Sequence, residues 1–507
     1  MTIRQRFNNF MARQFGLVPH SHLVRAYASA KHGRLLGDWI AQNLSASEEV
    51  KGGLVTTRNR SRELERDNDY GLRYFNITVK NIVGDKGVKF QSKARMRNGK
   101  DFDKAANATI EAGWAEWGKV GHCTADRRKS WIDCQNLAVR SVARDGEILA
   151  RMVKGFGNKH RFALQFIESD QLDHELNDDP NRNGAKVRMG VEHDEWNAPV
   201  AYWILTTHPG DYIAWRGKKY TRIPAAEIIH LGIEERENQT RYMPWLHTAM
   251  SRLHMLGGYE EAELVAARAA ACKFGTIETP IEYQGQGNDS EGNTISEFSA
   301  GQVEELLPGQ KFELQDPTHP GAQFSPFTKS MLRGAAAGGD VSYNKLANDL
   351  EGVTFSSLRE GNLDERDSWK CKQTWLIEHF CQIVFEAWLE MFLTVGMTDL
   401  RLADYDRLNA PLWQARRWAW VDPLKDMLAE EKAVANHWRT DTQAAANLGN
   451  DYETNLEEID QEQELRKANN IVDEPDPTVR SAVVIQPALQ AAAERLVAKA
   501  LESADDE

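Results

Sequence analysis

The chain has 507 residues, 41% of them hydrophobic and 27% charged, which is typical of a water-soluble protein of several domains. Its net charge of −13 is concentrated near the C-terminus, where residues 451–507 carry fifteen acidic and five basic side chains. The remainder is close to neutral, which argues against tight nucleic-acid binding through clustered lysine and arginine. Glutamates interrupt the most apolar long window, Ile383–Val395, so we expect no membrane-spanning helix.

The first half of the chain predicts an α+β unit. Apolar residues recur at helical spacing over residues 54–82, 101–117 and 127–145. On the first of these helices, the arginines between Arg58 and Arg66 lie outside the apolar face. Such a set usually forms a solvated surface, although in an assembly it could meet acidic neighbours or phosphate. From about residue 147, short apolar or alternating runs between turn residues predict strands. These runs read RFALQFIES, AKVRMGVEHD, APVAYWILTTH and AEIIHLGI.

After Pro244 the pattern becomes helical again. The run from Trp245 to Lys273 contains no proline and is rich in alanine from Ala262 to Ala271. Small side chains let a neighbouring helix approach closely. Two interpretations stay open from the residues alone: the helix is buried in its own monomer, or it packs against copies of itself.

Residues 275–325 are richer in Gly, Pro, Asp and Gln, and predict a small separate lobe with short strands such as KFELQ. A second helical run follows, and then a loop from Leu350 to Gly361 whose single cation is Arg359. Gly352 and Gly361 permit positive φ there and suggest a mobile element. Beyond the loop, Asn362–Val395 predicts a long helix whose aromatic residues indicate core packing.

The C-terminal part predicts an extended segment at residues 410–422 and helices over 423–470. The last 35 or so residues are polar, acidic and rich in alanine, and they predict disorder apart from a helix near 486–503.

Motifs for common enzymatic chemistry are absent from the sequence: it contains no P-loop, no G-x-S-x-G and no H-E-x-x-H. The five cysteines form no C-x-x-C pair and indicate reduced thiols. An acidic run between Glu168 and Glu175, comprising Glu168, Asp170, Asp173, His174 and Glu175, leaves one enzymatic alternative. It could serve a metal-dependent DNA-processing enzyme, although two-metal chemistry needs carboxylates from several elements and a solvated loop is the favoured explanation. We predict no cofactor and no resident metal.

Several blocks of the sequence, in the same order, resemble the portal proteins of tailed phages, in particular the lambda-like branch. They span roughly residues 55–470 and include TRNRSRELERDNDYGLRYFNITVKNIVGDKGVKFQSK, GVEHDEWNAPVAYWILTTHPGDY and RIPAAEIIHLGIEERENQTRYMPWLHTAMSRLHMLGGYEEAELVAARAAA. The most specific blocks are GQVEELLPGQKFELQDP and FSPFTKSMLRGAAAGGDVSYNKLANDLEGVTFSSLRE. The family often has Arg-Gly before the proline that opens the stem, where this chain has Arg241-Tyr242-Met243-Pro244.

The resemblance implies a mainly helical, multi-domain α+β portal fold that assembles as a ring. Carried onto this chain, it assigns a wing to residues 1–240 and 396–450, stem helices to 241–274 and 324–349, a clip to 275–323, a tunnel loop to 350–361, the long helix behind that loop to 362–395, and a crown or acidic tail to 451–507.

The same resemblance implies a function without catalysis: a dodecameric ring at one capsid vertex, through which DNA is packaged and ejected. It implies that Thr354, Phe355, Ser356, Ser357 and Arg359 face the DNA, and that Ala262, Ala266, Ala269 and Ala270 form the intersubunit stem surface. The implied partners are double-stranded DNA, bound without sequence preference, the terminase large subunit, the major capsid or scaffold protein and the head–tail connector. The implied locations are the virion and, during assembly, the host cytoplasm.

Overall fold

Helices dominate the structure, a computed structural model that describes residues 43–99, 101–177, 186–211, 218–271, 274–278, 311–315, 321–418, 423–447 and 452–469. In chain order the helices are α1 (Ala46–Asp67), α2 (Asp69–Ile82), α3 (Lys104–Trp117), α4 (Trp131–Asp145), α5 (Met250–Ala271), α6 (Phe324–Gly338), α7 (Tyr343–Ala347), α8 (Phe355–Leu376), α9 (Gln382–Thr394), α10 (Tyr405–Leu408), α11 (Pro423–Ala435), α12 (Asp441–Asn447) and α13 (Tyr452–Ala468). A π-turn, Ile377–Cys381, joins α8 to α9 without a break. Within the described ranges, every helix is too short or too polar to cross a bilayer.

The strands form small sheets. They are β1 (Lys89–Ser92), β2 (Glu147–Lys154), β3 (Phe162–Ile167), β4 (Lys186–Arg188), β5 (Val191–His193), β6 (Pro199–Leu205), β7 (Tyr220–Pro224), β8 (Ile228–Gly232), β9 (Phe274–Glu278), β10 (Lys311–Gln315) and β11 (Pro411–Gln414). The largest sheet has the order β4-β5-β6-β7 and is antiparallel throughout. A three-stranded sheet has the order β3-β2-β8, and β1 pairs with β11 and β9 with β10 as separate antiparallel ribbons.

The chain divides into two compact units, each built from several stretches of sequence. The first unit takes its described residues from Met1–Asp67, Ser141–Arg151 and Phe166–Met250, and the second from Asn68–Arg140, Met152–Gln165 and Ser251–Glu507. The range 1–240, predicted as one wing, therefore contributes to both units. The division at Met250 lies close to Pro244, where the sequence pattern changes.

The core of the first unit lies beneath the four-stranded sheet. Alternate side chains of these strands point to one face, so apolar residues spaced by two meet in a single cluster. Its buried members are Leu149, Ile167, Leu172, Val191, Tyr202, Ile204, Ile223 and Ile228.

The core of the second unit is built mainly from aromatic rings. Trp114 of α3 lies at its centre, with ring centroids 5.5 Å from Phe385 and 5.2 Å from Trp388, both on α9. The edge-to-face geometry of these pairs is favourable for aromatic rings. Trp131 of α4 stacks on Phe380 of the π-turn at 5.3 Å. The predicted core role of the aromatic residues in the long helix is confirmed for these rings, which are fully buried.

Most predicted elements are present, but some boundaries differ. The helix predicted over 54–82 is two helices, because Asn68 begins a new one by accepting a hydrogen bond from the Gly71 amide. The helix predicted from Trp245 begins only at Met250. The four sequence runs predicted as strands contain strands, whereas β7 was not predicted. Of the predicted clip, 275–323, the structure describes residues 275–278, 311–315 and 321–323. Of the predicted crown, 451–507, it describes residues 452–469, which contain α13.

Candidate functional site

The two predicted stem helices, α5 and α6, contact each other through aromatic and small residues. Tyr259 of α5 stacks on Phe324 at 5.8 Å and meets Phe327 edge-on at 5.0 Å. Nearby, the guanidinium of Arg252 occupies the space that a side chain at Gly334 would need. The glycine therefore allows α5 and α6 to lie close together within one chain.

Helix α5 exposes apolar side chains on more than one side. Met255 is 73% exposed and Leu264 is 61% exposed. Nine residues separate them, which places them about 180° apart around a helix of 3.6 residues per turn. Val265, between these two directions, is 57% exposed. Among the described residues, a single copy of the chain thus leaves apolar side chains exposed on several sides of α5.

The predicted alanine surface lies on this helix. Ala262 is exposed and Ala266 is half-buried. Ala269 and Ala270 continue the same helical face by their spacing, but their side chains fall outside the described part of the structure. The sequence prediction that this face packs against copies of the chain stays a prediction at this point.

The predicted tunnel loop, Leu350–Gly361, is shorter than the sequence suggested. Helix α8 already begins at Phe355, because the Thr354 side chain caps it by accepting a hydrogen bond from the Ser357 amide. The irregular connection between α7 and α8 is therefore only 348–354, and we call it the channel segment. Gly361 is helical and does not adopt the positive φ that the sequence suggests, whereas Gly352 does, with a φ of 69°.

Of the five predicted DNA-facing residues, Thr354 and Ser357 are exposed. They bond to each other at the start of α8, with 2.9 Å between their hydroxyl oxygens. The side chains of Phe355 and Ser356 fall outside the described part. Arg359 is half-exposed, and its Nη2 lies 3.4 Å from Oδ1 of Asp426 on α11. The sequence did not reveal this partner, because the two residues are 67 positions apart.

Asp349 is the centre of a polar cluster in the channel segment. Its Oδ2 accepts a 2.6 Å hydrogen bond from the Tyr343 hydroxyl, and its Oδ1 accepts a 2.9 Å bond from the Glu351 amide. Lys329 of α6 places its Nζ 3.3 Å from Asp349 and 2.6 Å from the Glu351 carboxylate. The hydrogen bond from Tyr343 is the largest of the contributions that lower the pKa of Asp349 to about 2.

Helix α7 and the turn before it are joined to α8 by further ion pairs. Lys345 lies 2.9 Å from Glu365, and Lys372 lies 2.8 Å from Asp340. Asp340 also accepts a hydrogen bond from Ser368. The chain just before the channel segment is thus fixed to the body of α8.

The acidic run Glu168–Glu175 does not converge on one point. Glu168, Asp170 and His208 bring ligand-type atoms within 4.8 Å of one another. However, Asp170 is already paired with the guanidiniums of Arg58 and Arg62, which would repel a metal cation. Burial alone would raise the pKa of Asp170, but these two arginines hold it below its ordinary value.

The carboxylates at the other end of the run are also paired with a cation. Asp173 and Glu175 both bind the Lys218 ammonium, at 2.8 and 2.9 Å. The run is therefore solvated only in part, since Glu168 and Glu175 are exposed whereas Asp170 and Asp173 are largely buried. Its carboxylates are not arranged for two-metal chemistry. The geometry does not support the alternative of a metal-dependent DNA-processing enzyme.

A buried ionic cluster in the first unit was missed entirely. Glu147 is fully buried and accepts hydrogen bonds from Arg58 Nη2 at 2.7 Å and Arg241 Nε at 2.7 Å. Its other oxygen lies 3.0 Å from His230 Nε2. Arg241 also donates to the backbone carbonyls of Ser169 and Leu172. The prediction that Arg58 lies on a solvated face is wrong, since it is 1% exposed.

Comparisons with known proteins identify the family. Residues 32–373 match the model of the phage portal protein, lambda family. The chain belongs to the lambda family of phage portal proteins. It is 36% identical over 421 residues to a probable portal protein of Halomonas phage phiHAP-1, covering 81% of each chain. It is 22% identical to portal protein B of Escherichia phage lambda, over 83% of this chain and 86% of that protein.

Solved structures give a weaker likeness. A chain from the neck of a native gene transfer agent particle superposes with a TM-score of 0.45 at 12% identity, covering 78% of this chain and 94% of that one. A chain from the neck of an empty particle gives a TM-score of 0.44. The family match and the curated relatives confirm the predicted family, the mainly helical α+β fold class and the identity as a portal protein.

Proposed function

We propose that twelve copies of this portal protein form a ring at one vertex of a phage capsid, and that DNA enters and leaves through its channel. The proposal includes the finer roles that the resemblance implies. The ring docks the terminase large subunit during packaging and the head–tail connector afterwards, and it contacts the major capsid or scaffold protein. It assembles in the host cytoplasm, becomes part of the virion and catalyses no reaction of its own.

The observation that carries the proposal is the exposure of α5. Met255 and Leu264 point in opposite directions and are both largely exposed in one chain. Burying apolar surface is favourable by about 25 cal/mol per Å², so a helix exposed on several sides is stabilised by neighbours on several sides. A ring supplies a neighbour on each side, because each subunit meets two others through different surfaces. Ala262 and Ala266 would let those helices approach closely.

The channel segment, 348–354, and the first turn of α8 are the proposed DNA-facing part. Thr354 and Ser357 present hydroxyl groups, and Arg359 presents one half-exposed guanidinium whose charge Asp426 partly offsets. A surface with few free cations binds phosphate weakly and without reading bases. Weak contact suits a passage that DNA must traverse in both directions.

The ring is tested by replacing a small stem residue with a large one. Ala266→Trp should reduce the yield of rings in native mass spectrometry and in images of the purified protein, while leaving the secondary structure of the chain unchanged. Ala115→Trp is the matched control, because Ala115 is an exposed alanine on a helix outside the stem. A wild-type protein that stays monomeric, or rings that form equally well with Ala266→Trp, would contradict the proposal.

A further inference from the structure

The channel segment is held to the stem by a polar cluster that connects three elements of one chain. Lys329 comes from α6, Tyr343 from α7, and Asp349 and Glu351 from the segment itself. Three groups donate to or pair with Asp349: the Tyr343 hydroxyl, the Glu351 amide and the Lys329 ammonium.

The backbone on both sides of Asp349 depends on unusual conformations. Asn348 ends α7 with a positive φ of 53°, and Gly352 has a positive φ of 69°. Asn and Gly adopt a positive φ more readily than other residues, and here they mark two points at which the chain changes direction. Asp349 and Glu351 lie between these two turning points, so their contacts decide where the exposed part of the segment lies relative to α6.

We propose that Asp349 and Lys329 are positioning residues that set the placement of the channel segment against stem helix α6. The assignment rests on the proposed function, because it matters only if this segment faces DNA. Lys329 carries two carboxylate partners, whereas its neighbour on the next turn, Arg333, lies over the Tyr343 ring at 5.3 Å. Both cations of α6 therefore act on the same short region.

The exposure of these three side chains determines how strongly their ion pairs hold the channel segment. The Lys329 side chain is 30% exposed and Asp349 is 22% exposed, whereas Glu351 is 79% exposed. Ion pairs at such positions are weak individually and are screened by salt. The position of the segment should therefore respond to ionic strength and to the anionic backbone of DNA, which competes for the same ammonium group.

The experiment measures amide hydrogen exchange of residues 348–354 in the full-length protein. Lys329→Gln should speed exchange at the Glu351 amide by roughly three- to tenfold, as expected when two weak surface pairs are lost together. Lys329→Arg should restore the wild-type rate, because the charge is retained. Lys370→Gln is the matched control, since the ion pair of Lys370 among the described residues is a local one with Asp367 on the same helix.

The salt dependence of amide exchange distinguishes the loss of these ion pairs from a general loss of stability. Raising ionic strength should speed exchange in the wild-type segment and leave Lys329→Gln nearly unchanged. Unchanged exchange in Lys329→Gln, or failure of Lys329→Arg to restore it, would overturn the proposal. All of these contacts lie within one chain, so the exchange result is independent of ring formation, which is tested by Ala266→Trp. Faster exchange together with normal DNA retention in Lys329→Gln particles would refute the link to the channel.

Discussion

The buried carboxylate of Glu147 allows a quantitative test of the first unit. Glu147→Gln keeps the shape of the side chain but removes the negative charge that faces Arg58 and Arg241, both almost fully buried. Leaving buried charges without their counter-ion typically costs about 3–5 kcal/mol. Asp170 remains 3.4 Å from Arg58, but it pairs with Arg62 and not with Arg241, so it cannot replace Glu147 beside Arg241.

Hydrogen exchange is the appropriate assay, because a chain of two units is not expected to unfold in one step. Amides of β2 and β8 pair directly with each other from Glu147 to Arg151 and report the opening of this region. A loss of 3–5 kcal/mol lowers their protection by roughly two to three and a half orders of magnitude. Glu49→Gln is the control, since Glu49 pairs with Arg236 at an exposed position.

The loss of protection caused by Glu147→Gln should also depend on pH. Burial alone would raise the pKa of Glu147, but Arg241, the hydrogen bond from His230 and Arg58 together hold it far below its ordinary value. A depressed pKa means that the stabilisation is present above the unfolded-state pKa of about 4.3 and is lost as the pH falls through the folded value. The difference between wild type and Glu147→Gln should therefore narrow below about pH 4. The reasoning is refuted if Glu147→Gln loses no more protection than Glu49→Gln, or if the difference widens in acid.

Two further predictions concern the channel region. Arg359→Ala should leave ring assembly intact but reduce the amount of DNA that particles package or retain. The reason is that it removes the one cation of residues 350–361 that is predicted to face the DNA. Particles with DNA of normal length would contradict this prediction. Gly361→Ala should stabilise α8 by about 0.5–1 kcal/mol, because that glycine is helical and a side chain there meets nothing within 4 Å. Gly352→Ala should instead destabilise the segment by about 1 kcal/mol, because its φ is positive. Thermal unfolding compares the two variants, and equal shifts would show that the boundary of the helix is wrong.

The periodicity of apolar residues predicted most helices and strands because burial imposes it locally. The same periodicity did not predict the helix boundaries that a polar side chain determines. Asn68 ends one helix and begins another, and Thr354 starts α8 four residues after the loop was expected to begin. Both are capping residues whose effect depends on the conformation of the next three amides, which a pattern of hydrophobicity does not record.

The ionic contacts could not be predicted because they join distant parts of the chain. Glu147 and Arg241 are 94 positions apart, and each alone resembles an ordinary surface charge. Arg58 was misplaced for the same reason, since nothing near it in sequence indicates that it is neutralised. The resemblance to a family supplied the function, but only the three-dimensional arrangement could assign partners to these residues.

The π-turn at Ile377–Cys381 has a consequence for insertions and deletions. In this turn the Gln382 amide bonds to the Ile377 carbonyl, five residues back instead of four, so the turn contains one residue more than an α-helix would. Residues after it are rotated by about 100° relative to an uninterrupted helix. Trp388 and Phe385 reach Trp114 only in that rotated phase.

Deleting a single residue within 377–381 would restore regular α-helical bonding and leave these rings facing Trp114, because the π-turn accommodates one extra residue. A one-residue deletion elsewhere in α9 before Phe385 has no such extra residue to remove and would turn the rings away by about 100°. Homologous portal sequences should therefore tolerate the loss of one residue within 377–381 more readily than a one-residue change in the regular helix around it.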